Sequence, residues 1–171
     1  SKVKKRSFAI LKDLMIAVVC ALGHISVMQS PAVQVDLNQL AENIRHVAAG
    51  LAPECDIMFT VKSDAYGHGI QQISTKAAEE GVTWFCVAYL EEALEVRNAA
   101  PRADILVLGP ILPSEVAACI EHHITPIIVD PDHALALGKA ALDTGSSLDV
   151  HLKIDTGMGR MGILESDQTE D

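Results

Sequence analysis

The chain has 171 residues, is 49% apolar and only 4% aromatic, and carries a formal net charge of −10. That length and composition suit one domain with an aliphatic, alanine-rich core. The negative balance argues against a nucleic-acid backbone as partner, which needs a basic face, and leaves a small molecule met in a local pocket.

The amino terminus differs from the rest. Lys2, Lys4, Lys5 and Arg6 precede an apolar run, "LMIAVVCALG", Leu14 to Gly23. This is the order of a signal peptide, with small residues Ala21 and Gly23 near a cleavage point. The run is too short for a stable membrane span. A second reading starts the domain at "MQSPAVQVDLNQL" and treats residues 1–29 as an extension. The first reading implies export and the second a cytoplasmic protein. Cys20, Cys55, Cys86 and Cys119 lack short paired spacing and sit in apolar neighbourhoods. They read as free buried thiols, which favours the cytoplasm. No metal site is expected: His122 and His123 are adjacent, and adjacent residues on a helix diverge.

From residue 30 the elements alternate. Val33–Asp36 is strand-like. Leu37, Leu40, Ile44, Val47 and Leu51 then fall at helical spacing. An apolar strand, Ile57 to Val61, ends at Lys62. A helix from Gly69 to Glu80 stops at Gly81. "TWFCVA", "DILVLG", "TPIIVD" and "LDVHLKID" are strands. Between them lie the helices "LEEALEVRNAA", "SEVAACIEHH" after Pro113, and "PDHALALGKAALDTG". Strand centres recur every 20 to 27 residues, about the length of one βα unit. Five such units imply parallel strands with crossover helices, either an open doubly wound sheet or an arc of a (β/α)₈ barrel. No "GxGxxG" turn follows the first strand, which weakens a dinucleotide fold.

In both architectures chemistry gathers at the carboxyl ends of the strands. Lys62, in "FTVKSDAYGHG", stands at one such end, and "KIDTGMGRMG", Lys153 to Gly162, begins at another. A lysine there can bind phosphate, pair with a carboxylate or, if neutral, attack a carbonyl. Tyr66 follows, with Gly67 and Gly69 close after it to let a ligand approach the backbone. Arg160 sits among three glycines and matches a carboxylate or phosphate fork.

"VKSDAYGHG" and "HLKIDTGMGRMG" resemble the two signature segments of the alanine racemase family. "WFCVAYLEEALEVRNA" and "DILVLGPILPSEV" resemble the βα units between them, so the likeness runs in order from Ser30 to Leu164. The resemblance implies an α/β fold, a parallel (β/α) barrel followed by a β-rich domain, acting as a homodimer with pyridoxal 5'-phosphate. Lys62 would carry the cofactor and exchange the substrate's α-proton. Tyr66 would contact the cofactor, Arg160 the substrate carboxylate, and Lys153 would be carbamylated and orient Arg160. The activity implied is interconversion of L- and D-alanine for cell-wall precursors. A broad-specificity amino-acid racemase, a barrel piece that holds the cofactor without turnover, and an inert truncated chain are the alternatives.

Two departures stand out. Ser63 and Asp64 replace the alanine and asparagine more usual in the family motif, so an extra carboxylate lies near Lys62. The chain also ends soon after the fifth strand. Residues 30–171 are therefore expected to form a partial barrel of about five βα units, truncated before closure. The second catalytic base is missing from it, so these 171 residues alone should be inactive.

Overall fold

Asp36 decides how the first element begins. In the computed structural model, which describes residues 33–52 and 54–164, its carboxylate accepts hydrogen bonds from the N–H groups of Asn38 (2.9 Å) and Gln39 (3.1 Å). That caps helix α1, Leu37–Ala49. Val33–Asp36, expected as a strand, is irregular instead. It leads into the cap and joins no sheet. Ala41 and Ile44 bury the inner face of α1, while Val47 and Leu51 of the expected stripe are exposed.

Five strands follow: β1 (Met58–Thr60), β2 (Trp84–Val87), β3 (Asp104–Val107), β4 (Ile124–Ile128) and β5 (His151–Leu152). All neighbouring pairs are parallel, in the order β1-β2-β3-β4-β5. Helices α3 (Ile70–Glu79), α4 (Leu90–Ala99), α5 (Val116–Glu121) and α6 (Pro131–Thr144) form the crossovers. A short helical segment, α2 (Lys62–Gly67), leaves β1, and Pro113–Glu115 is a 3₁₀ turn before α5. A doubly wound sheet reverses its strand order at a switch point; this one does not. Strictly sequential order with crossovers of one hand puts every helix on one face, as in a barrel wall.

Curvature supports the same conclusion. The rings of Trp84 on β2 and His151 on β5 lie 5.8 Å apart. Three strand spacings on a flat sheet would separate them by about 14 Å. The sheet therefore curls toward the face that carries these rings.

Alternation divides each strand between two cores. Phe85, Val87, Ile105, Val107, Ile124 and Ile128 pack against the helices, with Ile73, Ala93, Val96 and Leu137. Cys86, Leu106 and Ile127 form a smaller cluster on the concave face, joined by Trp84, Leu108, Val129 and Met161. Burial on both sides accounts for the continuous apolar strands. From Val35 onward the described residues belong to one compact unit. The expected boundary near residue 30 and the signal-like segment lie outside the described residues.

The amino ends of the strands serve stability. Arg97 donates to the carbonyls of His122 (2.9 Å), His123 (2.8 Å), Pro101 (3.1 Å) and Ala103 (2.6 Å). One guanidinium thus ties α4 to the segments entering β3 and β4. β5 is shorter than "LDVHLKID" suggested: only His151 and Leu152 pair with β4. The thiols need one correction. Cys86 and Cys119 are buried and free, and burial pushes Cys119 up to about 11, but Cys55 is exposed. No helix among the described residues is long and apolar enough to cross a membrane.

Candidate active site

At the carboxyl end of β1, Val61 is fully buried and its N–H donates to the Cys86 carbonyl (2.8 Å). Lys62 comes next and is half-buried. Its amine has no hydrogen bond or ion pair among the described residues. The backbone then does something unusual. Ser63, Asp64, Ala65 and Tyr66 all have positive φ, between 51° and 55°. This is a left-handed turn built from residues with side chains, which costs about 1–2 kcal/mol at each position. The helical periodicity of the region gives no sign of it.

Hydrogen bonds hold the turn. The Glu92 carboxylate accepts from Ser63 N–H (2.5 Å) and, through its other oxygen, from Ala88 N–H (2.8 Å). Ala65 N–H donates to the Val61 carbonyl (2.8 Å), and Gly69 N–H to the Asp64 carbonyl (3.0 Å). The Asp64 carboxylate accepts from Ile70 N–H (2.7 Å), the first residue of α3. The extra carboxylate noted in the sequence is therefore engaged at a helix start, where the dipole favours negative charge. Tyr66 is 60% exposed on this turn.

At the end of β5 the loop is built differently. Asp155 accepts from the N–H groups of Gly157 (2.9 Å), Gly159 (3.1 Å) and Arg160 (3.1 Å). These amides, Gly157 first, hold its carboxyl below the ordinary value. The loop closes where Ile163 N–H meets the Lys153 carbonyl (2.9 Å) and Asp155 N–H meets the Ile163 carbonyl (3.0 Å). Gly162 is required there. Its φ is +123°, and a Cβ would lie 2.9 Å from Asp155 N and 3.0 Å from Lys153 O. Met161 anchors the loop to the concave cluster. Lys153 is half-buried, Arg160 is exposed, and neither side chain has a partner among the described residues.

Lys62 and the Lys153–Arg160 loop thus share one end of the sheet. They stand at its first and last strands, and no ion pair or hydrogen bond joins their side chains among the described residues. Strands four apart in an eight-membered ring lie across the lumen from each other. Clefts of about 430 and 390 Å³ lie elsewhere, one between α3 and α4 and one beside α6. Two supporting residues escaped sequence reading. Asp155 heads an Asp-Thr-Gly turn, a local pattern that could have been used. Glu92 adjoins Glu91, and no local pattern separates their roles.

The fold defines a class, the parallel (β/α) barrel proteins, and Lys62 stands at the end of the strands where such barrels gather their functional residues. The family described as "Alanine racemase, N-terminal domain" matches residues 35–171, and the chain belongs to that family. The alanine racemase of Streptococcus uberis is 43% identical over 140 residues, which is 81% of this chain and 38% of that protein. The alanine racemase of Geobacillus kaustophilus is 36% identical over 138 residues, 81% of this chain and 36% of that one. Among solved structures, alanine racemase from E. faecalis superposes with a TM-score of 0.71 at 32% identity, covering 75% of this chain and 35% of the other. A histidine racemase from Leuconostoc mesenteroides gives 0.69 at 27% identity, covering 75% and 34%. The chain therefore spans well under half of these relatives.

Proposed function

We propose that this chain is the lysine-bearing part of a pyridoxal 5'-phosphate-dependent alanine racemase, with residues 30–171 as its cofactor-binding barrel portion. The observation that carries the reading is the half-buried Lys62, whose amine has no ion pair among the described residues, at a strand end inside the family match. Such an amine is not occupied by an ion pair with a described carboxylate and stands open to a carbonyl-bearing cofactor. The residues present therefore fit the cofactor. When bound, it supplies an electron sink that acidifies the substrate's α-proton. Lys62 holds the cofactor and moves that proton on one face. Tyr66, exposed on the turn beside it, offers a phenol to the cofactor. Arg160 offers its guanidinium to the substrate carboxylate, and Lys153, carbamylated, orients it. Racemisation needs a base on each face of the α-carbon, and Lys62 is the one we assign.

The reading extends to alanine as substrate, to a homodimer and to the cytosol, where the free thiols stay reduced. The histidine racemase among the structural neighbours favours one second reading, a racemase of another amino acid. The test is direct. Borohydride added after pyridoxal 5'-phosphate should place a pyridoxyl label on Lys62, found by peptide mapping. Lys62→Ala should abolish that label and the absorbance near the visible edge. An unchanged spectrum in the variant would sink the assignment.

A further inference from the structure

We infer that Glu92 is a positioning residue for Lys62: its carboxylate ties the segment leaving β1 to the segment leaving β2 and so fixes where the lysine amine stands. The inference rests on the reading of Lys62 as the cofactor's attachment point. Glu92 lies in the first turn of α4, where the helix dipole favours its charge. One oxygen takes the N–H of Ser63, the residue after Lys62 (2.5 Å). The other takes the N–H of Ala88, the residue after β2 (2.8 Å). Hydrogen bonds to a charged acceptor are the strong kind.

Two further observations make this a constraint on position. Ser63 opens the left-handed turn, so the anchored amide is the first of four strained residues. Released, that turn would relax toward right-handed backbone and carry Lys62 with it. The other anchor is itself tied to the end of β3, where Gly109 N–H donates to the Ala88 carbonyl (3.1 Å). The Ala88 carbonyl lies 2.5 Å from where a Cβ on Gly109 would stand, so the ends of β2 and β3 are packed together. Glu92 makes no ion pair with Lys62. Its influence passes through the backbone, and the amine stays available.

The test compares the full chain with Glu92→Gln and Glu92→Ala. Glutamine keeps one acceptor oxygen but turns N–H groups toward the second amide; alanine loses both bonds. Each protein is treated with pyridoxal 5'-phosphate and borohydride, and labelling is followed at Lys62 and at exposed Lys139. Amide hydrogen exchange is measured without cofactor. The expected result for Glu92→Ala is roughly tenfold slower labelling of Lys62, the effect of losing the charge-assisted bond at Ser63, with Lys139 unchanged. Exchange at Ser63 and Ala88 should rise while Phe85 and Val107 stay protected, and Glu92→Gln should fall between. Should the alanine variant fail to fold, the glutamine variant decides. Labelling of Lys62 at the unsubstituted rate, or exchange rising equally in the strands, would overturn the clamp. If the unsubstituted chain labels Lys62 no faster than Lys139, the attachment reading fails, and exchange alone then judges Glu92.

Discussion

The ends of β1 and β5 solve one problem in opposite ways. Each must hold a basic side chain at the mouth of the barrel wall. The β5 loop does so locally: Asp155 gathers amides two to five residues downstream, and glycines supply the positive φ angles. The β1 turn adds a distant anchor to its local bonds: residues with side chains adopt the left-handed region, and a carboxylate 29 residues away holds the first of them. A loop closed by its own glycines needs little from the rest of the fold. A turn strained by side chains persists only where tertiary contacts over-determine it.

The sharpest way to break the contrast is Gly162→Ala. At φ +123°, with backbone atoms about where the methyl must go, this change should cost at least about 2 kcal/mol. The loss should appear as a lower thermal midpoint and as fast exchange at Gly157 and Gly159. Protection at Ser63 should persist, and loss of protection at both ends together would show that the two regions are not independent.

Asp64→Ala tests the other region at smaller scale. It removes the acceptor for Ile70 N–H and should cost about 1 kcal/mol. Exchange should quicken at Ile70 and leave Asp155's loop unchanged. A neutral outcome would mean that solvent replaces the carboxylate without penalty.

The smallest effect is pH-dependent. Asp155 has its pKa lowered in the folded chain by the amides of Gly157 and Gly159. Its contribution is complete above the ordinary carboxylate value and fades as pH falls through the lowered one. Titrating the Gly157 amide shift by NMR should show one step in that acid window, absent in Asp155→Asn. A step above the ordinary carboxylate range would contradict the assignment.

Much of this protein was legible in its residues because the signals are local. Apolar runs bounded by glycine and proline mark the strands, and helical spacing marks α1, α3, α4 and α6. Lys62, Tyr66, Lys153 and Arg160 could be nominated from two motifs alone. The local signals failed where pairing decides. Val33–Asp36 has extended backbone character at Asp36 but no strand beside it. β5 carries a longer strand-like pattern than the two residues that pair with β4.

What the sequence by itself determined is the alternation of β and α and the placing of basic residues at strand ends, since both follow from near-neighbour chemistry. Three things were left to the tertiary structure. The strand order separates a barrel arc from a doubly wound sheet, and the same periodicity permits both. The curl of the sheet brings Trp84 to His151 across two intervening strands. The left-handed turn after Lys62 is locally unfavourable, so no propensity could announce it; bonds within the turn and the Glu92 carboxylate, from another helix, meet its amides.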